Sequence, residues 1–148
     1  MAKTKNIVFF GIGAVIGVTA LILILRKVLV KYRVVSIAKK EWEGWGQPTI
    51  QVDGTQTREG GFEAQKGFAD RVGLYWRKGT GNRYDGRDTG VAWSSAFISF
   101  IMKKSGAGDD FPYTSRHSRY IVPFIQNRKQ NNKSPFKAYK LSEKKVEI

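Results

Sequence analysis

Chemistry at a protein site needs a nucleophile, a proton carrier or a metal-binding cluster, and this chain offers few of each. His117 is its single histidine, so any imidazole mechanism runs through it. The hydroxyl best placed to act as a nucleophile is Ser94, which follows a Gly-rich loop and Trp93 and opens an apolar helical pattern. A helix N-terminus stabilises negative charge developing on a nucleophile or on an oxyanion held by backbone amides. Two readings of these residues stand open. In one, Ser94 and His117 are nucleophile and base. In the other, Ser94 and Ser95 are ordinary cap residues and His117 is a first-turn hydrogen-bond donor, and the frequency of serine at helix starts favours this second reading. Glycoside hydrolysis would need a carboxylate pair or a glutamate of raised pKa. Glu59, Glu63 and Asp70 are candidates by location, but exposed helix charge accounts for them.

Other chemistries are excluded or unsupported. There is no cysteine, hence no disulfide, thiolate nucleophile or cysteine metal site. One histidine without clustered carboxylates gives no basis for a transition-metal site. Gly79, Gly81, Gly86 and Gly90 form neither a P-loop nor a dinucleotide fingerprint, because no strand and no GK[ST] accompanies them. No cofactor is expected.

The elements that must position Ser94 and His117 are read from spacing. Phe68, Val72, Tyr75 and Trp76 fall at i, i+4, i+7 and i+8, which predicts an amphipathic helix between Phe62 and Arg77. A polar Gly-rich loop, KGTGNRYDGRDTG, follows. A second helix begins near Trp93, with Phe97, Ile98, Ile101 and Met102 as its core stripe, Lys103 and Lys104 complementing its C-terminal dipole, and Ser105-Gly106 closing it. Thr114 or Ser115 is placed to cap a third helix, SRHSRYIVPFIQNR, with Pro123 as a kink or break. Earlier in the chain, TIQVDGTQT alternates around Asp53-Gly54 and reads as a loop or short hairpin. FKAYKL near the C-terminus is a candidate short strand.

The N-terminal region reads differently. Ile7 to Leu25 is IVFFGIGAVIGVTALILIL, with no charge. As a helix it is about 28 Å long, close to a bilayer's hydrocarbon thickness. It is too long for a signal-peptide core and ends without a cleavage site. A transmembrane helix over 7–25 is therefore expected, with a short basic N-terminus at 1–6 and an amphipathic juxtamembrane helix at 26–45. Arg26, Lys27, Lys31 and Arg33 would sit at headgroup level, with Trp42 and Trp45 as interface anchors. Gly13 and Gly17 form a GxxxG pair that would allow a helix homodimer, although glycine is common in membrane helices generally. Lys3 and Lys5 are outnumbered by the cations that follow the span before Glu41. The positive-inside rule thus places the C-terminal domain on the cytoplasmic or virion-interior side of a single-pass protein.

The remaining chain divides into a domain at 46–126 and a basic polar tail at 127–148. Twenty-six Lys and Arg against twelve Asp and Glu give a formal charge of +14, which implies an anionic neighbour: lipid headgroups, nucleic acid or an acidic cell-wall polymer. The centre from Glu41 to Asp110 is close to balanced, so part of the excess serves topology and solubility. Tail cations interleaved with Tyr and Phe would hold nucleic acid only by non-specific charge.

GFADRVGLYWRKGTG and GVAWSSAFISFIMKKSGAGDDFPYTSRHSRYI together resemble domain-of-unknown-function family 2272. That family's pattern of an EW opening, an RVxxYW helix, WSAAFIS, AGxGxxF and HSxYI is met here by Glu41-Trp42, Arg71 to Trp76, Trp93 to Ser99, Ala107 to Phe111, and His117 to Ile121. The WSSAFIS segment is in turn similar to the WCAAFVS helix of NlpC/P60 and CHAP amidases and endopeptidases, which cut peptidoglycan peptides. The resemblance puts Ser94 where those enzymes carry a nucleophilic cysteine, and a serine depends more on its base than a thiol does. It also implies the helical half of a papain-like α+β fold without most of its sheet, either natively truncated or completed by a partner protein. In that comparison His117 lies on the helix after the nucleophile and is not the equivalent base.

The expected fold class is mainly α: a transmembrane helix followed by a small helical domain. The expected function is a membrane-anchored envelope or virion-membrane protein whose domain associates with peptidoglycan or a partner. The missing thiol, the absent sheet and the charge orientation favour a non-catalytic domain. The alternatives are a cell-wall peptidase or amidase with Ser94 as nucleophile, and anionic lipid or nucleic-acid binding through the tail.

Overall fold

The computed structural model describes residues 29–140 and 142–144. Its first element is a helix over 29–44, α1. Val34, Ile37 and Ala38 lie on one stripe of this helix and pack against Tyr75, Phe100 and Ile101, as apolar residues at helical spacing do. Lys31, Arg33, Lys39 and Lys40 point outward. Gly46 ends the turn that follows with φ 87°, a conformation glycine adopts without steric cost. TIQVDGTQT then forms a hairpin: β1 (Thr49–Ile50) pairs antiparallel with β2 (Gln56–Arg58), with an irregularity between Thr49 and Ile50. Asp53 accepts the Thr55 amide at 2.9 Å and Gly54 takes φ 88°, which makes the tip an Asx turn.

α2 (Phe68–Tyr75) carries the predicted apolar face but starts six residues later than the first residue of the expected stretch, and runs into a π-type turn over Trp76–Thr80. That wider turn brings Gly79 flat against the next helix. A Cβ at Gly79 would come within 2.5 Å of the Ala96 carbonyl and 2.7 Å of the Phe100 amide. α3 (Ser94–Ser105) is closed by Gly106 at φ 82°. Its buried residues are Ser95, Ala96, Ser99, Phe100, Ile101 and Ser105. Of the predicted stripe Ile101 is buried and Phe97 packs against the same cluster, while Ile98 and Met102 are only half-buried and the serines and Ala96 take the inward positions. Close backbone approach accounts for the difference, since only small side chains fit where another main chain lies directly on the helix. A 3₁₀ turn at Gly108–Asp110 leads to α4 (Ser118–Lys129), which passes through Pro123 unbroken and has no side-chain cap from Thr114 or Ser115.

The core has two adjoining parts. Val72, Trp76 and Ala96 pack with Trp45, Val91 and Trp93; Tyr75, Phe100 and Ile101 pack with α1. Beside them Phe111, Tyr120, Phe124 and Phe136 form an aromatic cluster with ring centroids 5.2–6.0 Å apart. Phe136 belongs to the segment expected to be a solvated tail with a strand at FKAYKL. Its described part is instead an extended stretch without strand pairing, fastened by the Phe136 ring and by an Ala138 amide bond to the Phe124 carbonyl at 3.1 Å.

The membrane expectation requires correction. Among the described residues no helix is long and apolar enough to cross a membrane. The span expected at 7–25, with Gly13, Gly17 and the flanking Arg26 and Lys27, lies outside the described residues. A single-pass architecture, the location drawn from its flanking charges and a fold class beginning in a transmembrane helix are thus not supported. What is supported is a small helical domain with four helices and one two-stranded hairpin. The physical reason lies in α1. Val34, Ile37 and Ala38 pack against α2 and α3, so this face of the helix belongs to the domain, while Leu29, Tyr32, Val35 and Trp42 on the same helix are exposed.

Candidate active site

Ser94 is the first residue of α3 and is exposed. His117 is the residue before α4 and is also exposed. The fold brings the two together across 23 residues: Ser94 Oγ lies 2.8 Å from His117 Nε2. The other ring nitrogen, Nδ1, is hydrogen-bonded to the Tyr120 hydroxyl one turn along α4. Tyr120 is buried, at 8% exposure, and burial pushes its hydroxyl above the ordinary tyrosine range, against a smaller lowering by a Ser95 hydrogen bond. The group behind the imidazole is therefore a neutral hydroxyl at physiological pH. With Nδ1 carrying the proton, Nε2 is the acceptor for the Ser94 hydroxyl.

This geometry depends on the chain between the two helices. Ser95 and Ser99 are buried and both donate to the Thr114 carbonyl, at 3.0 and 2.9 Å, while the Thr114 amide donates back to Ser99 Oγ at 3.1 Å. Thr114 is thereby held against α3 three residues before His117. Ser95 is not a cap residue, and neither is Ser94. At the same helix end, Phe97 is the first residue whose amide reaches back into the turn, to the Trp93 carbonyl at 2.9 Å. The amides before it are the orphan donors of a helix N-terminus, beside the Ser94 hydroxyl.

Trp93 fixes the other flank. Its indole stacks on Trp45 at 5.3 Å and 3°, and its N–H donates to Glu63 Oε2. Trp45 in turn donates to the Tyr75 hydroxyl at 2.9 Å. That hydroxyl donates to Glu41 Oε2 at 2.6 Å, and Arg71 Nε donates to the same oxygen at 2.7 Å. Glu41 is 4% exposed, and its charge is matched by Arg71. Trp45, expected at a membrane interface, is thus part of the core. Trp42 is partly exposed and donates to the Pro48 carbonyl at 2.9 Å, and Lys31 and Arg33 are exposed on α1. Of the other carboxylates, Asp70 meets Arg87 at 3.4 Å, Glu59 is exposed, and Glu63 serves Trp93. They do not form the acid–base pair a glycosidase needs. Among the described residues no cluster of three or more acidic or histidine side chains is placed to hold a metal ion.

Two openings meet at Trp93 and Glu63. A crevice of about 390 Å³ reaches from Glu63 and Thr89 to Ser94. A larger apolar cleft of about 690 Å³ runs between the end of α1, the Phe62 loop and the start of α3.

The fold and this site define a small helical domain with a hydroxyl nucleophile candidate at a helix start and an imidazole in contact with it. The chain belongs to the family described as "Uncharacterized protein conserved in bacteria (DUF2272)", which matches residues 63–147. The match takes in Ser94, His117 and Tyr120. No curated protein and no solved structure matches the chain.

The sequence singles out Ser94 and His117, and the fold joins them. It gives no reason to select Tyr120, although the i, i+3 spacing in His-Ser-Arg-Tyr at a helix start places both rings on one face. The bond from Trp93 to Glu63 and the burial of Glu41 have no local signal, because their partners lie about thirty residues away in the chain.

Proposed function

We propose that this chain is a serine-nucleophile hydrolase acting on an amide or ester, with Ser94 as nucleophile, His117 as general base and Tyr120 as the residue that orients the imidazole. The observation that carries this is the continuous contact from Ser94 Oγ through both ring nitrogens of His117 to the Tyr120 hydroxyl. His117 Nε2 takes the hydroxyl proton as Ser94 Oγ attacks the carbonyl carbon. The oxyanion forms beside the free amides of α3's first turn, where the helix dipole favours it. When the intermediate collapses, the proton on Nε2 passes to the leaving amine or alcohol, and the acyl group stays on Ser94. Water, deprotonated by the same nitrogen, then releases the acid and restores the serine. The Tyr120 hydroxyl holds the ring in place at Nδ1 and accepts its N–H in the tautomer that leaves Nε2 free for Ser94. Unlike the carboxylate of the serine–histidine–aspartate arrangement, a hydroxyl can also donate, so it orients the ring without fixing the tautomer. Being neutral, it stabilises the imidazolium less than a carboxylate does.

The similarity of WSSAFIS to the nucleophile helix of NlpC/P60 and CHAP enzymes supports cell-wall peptide amides as the first natural substrates to try. Two assays on the full-length chain test the reading. A fluorophosphonate probe should label Ser94 covalently, and labelling should vanish in Ser94→Ala and fall at least tenfold in His117→Ala. Digestion of peptidoglycan should release new peptide ends that Ser94→Ala does not produce. A folded protein whose serine stays unlabelled and which turns over neither simple esters nor peptidoglycan sinks the proposal.

A further inference from the structure

The apolar cleft beside the Ser94 crevice has a recognition chemistry of its own. Its walls are Trp42, Trp45, Trp93, Phe62 and Phe97, with Glu63 at the junction. All three indole N–H groups are already engaged within the protein: Trp42 with the Pro48 carbonyl, Trp45 with the Tyr75 hydroxyl, Trp93 with Glu63. What the indoles offer a ligand is therefore ring surface and not hydrogen-bond donors. A sugar or other polar ring against these indoles would lose hydrogen bonds to water and find side-chain replacements only at Glu63 and Thr89, at a cost that apolar groups do not meet. Phe62 is 65% and Trp42 40% exposed, and large apolar surface kept open beside a polar crevice is how ligand sites are built. Trp93 and Glu63 line both openings, so a group bound in the cleft has its continuation next to the Ser94 hydroxyl.

Resting on the hydrolase reading, we infer that this cleft is the specificity pocket of the site and takes a large apolar side chain or acyl group adjoining the bond that Ser94 attacks. The wall residues do not touch the reacting atoms; they select what is presented to them. Glu63 holds the Trp93 indole as the shared wall and leaves its second oxygen as an acceptor at the junction.

The test separates binding from turnover. Full-length Ser94→Ala protein is titrated with N-acetyl-phenylalaninamide, N-acetyl-leucinamide, N-acetyl-alaninamide and N-acetylglucosamine, reading tryptophan emission. The inference expects the phenylalanine and leucine ligands to bind at least tenfold more tightly than the alanine ligand, the range that a few methylenes command in a hydrophobic pocket. N-acetylglucosamine should bind no better than alanine. Phe62→Ser should abolish the preference and Phe62→Leu restore most of it; the exposed position of Phe62 keeps either change from disturbing the core. Equal affinity for the phenylalanine and alanine ligands, or tighter binding of the sugar, overturns the inference. The two readings fail apart: a preserved preference in a chain that never labels at Ser94 removes the hydrolase and leaves the pocket, while labelling and turnover without side-chain preference do the reverse.

Discussion

Tyr75→Phe removes one oxygen from the centre of the protein, and its cost follows from the groups that oxygen serves. The Tyr75 hydroxyl donates to Glu41 at 2.6 Å and accepts from the Trp45 indole at 2.9 Å, and the Tyr75 side chain is fully buried. A hydrogen bond to a charged acceptor contributes about 1.5–3 kcal/mol net. The Trp45 N–H, half-buried and left without an acceptor, adds about 1 kcal/mol. Glu41 keeps Arg71, whose side chain is 31% exposed, so its charge is screened and partly satisfied and no further buried-charge penalty is added. The expected loss is about 3 kcal/mol, or roughly 12 °C in midpoint at about 4 °C per kcal/mol for a domain of this size. Urea denaturation followed by far-UV circular dichroism measures it directly. The pair Glu41→Leu and Tyr75→Phe sharpens the test, because removing both partners costs less than the sum of the single losses when they share one bond. A loss below 1 kcal/mol for Tyr75→Phe, or a double variant whose loss equals the sum within about 0.5 kcal/mol, refutes the description of these residues as one network.

Gly79→Ala pushes a methyl group into the backbone of α3 at Ala96 and Phe100 and should cost about 3 kcal/mol; Gly106→Ala strains a left-handed cap where a Cβ meets only the Arg33 guanidinium, at an ordinary contact distance of 3.8 Å, and should cost only about 1 kcal/mol, so thermal melts should rank the two in that order. Ser99→Ala deprives the Thr114 carbonyl and amide of a shared partner, for a loss of about 2 kcal/mol and a drop in Ser94 labelling larger than that loss of folded protein explains. Stability should also decline in alkali. Burial raises the hydroxyls of Tyr75, Tyr113 and Tyr120, so the folded chain keeps protons that the unfolded chain releases near pH 10. Their stabilisation is complete below that pH and is lost as pH rises toward the folded values, by up to about 1.4 kcal/mol per pH unit for each tyrosine. Tyr75→Phe should flatten the slope, and an unchanged slope would remove Tyr75 from the account.

The helices were legible where one face does one job. Phe68, Val72, Tyr75 and Trp76 mark α2 because a single apolar stripe meets a single core. Along α3 the hydropathy marks Phe97 and Ile101 of the inward face but not Ser95, Ala96 and Ser99, because there the helix is crossed by the main chain at Gly79 and tied to Thr114 by serines. A hydropathy pattern does not identify a serine as an interior residue when its partner is a distant carbonyl. The hairpin at Asp53-Gly54 was readable from local turn chemistry. The tail's fastening through Phe136 was not, since its cluster draws on residues from three segments. At the site, uniqueness did most of the work: with one histidine, only the nucleophile had to be chosen. Tyr120, Glu63 and the Trp42–Trp45–Trp93 arrangement needed the tertiary structure. Trp45 in particular sits in a basic, aromatic stretch that reads as interfacial, whereas its N–H and its ring face are both used inside the protein.

The clamp on Thr114 has a thermodynamic consequence. Ser99 gives and receives a hydrogen bond at one residue, as a neighbouring strand would, so a side chain supplies the ladder that this region lacks. Only a short segment separates that clamp from His117, and Thr114 itself is a member of neither core cluster. Local opening there requires breaking three hydrogen bonds and leaves α1, α2 and α3 packed. The imidazole's distance from Ser94 is therefore set at two points, the clamp on Thr114 and the Tyr120 ring in its aromatic cluster, and opening of the first alone shifts that distance at a smaller cost than unfolding the domain.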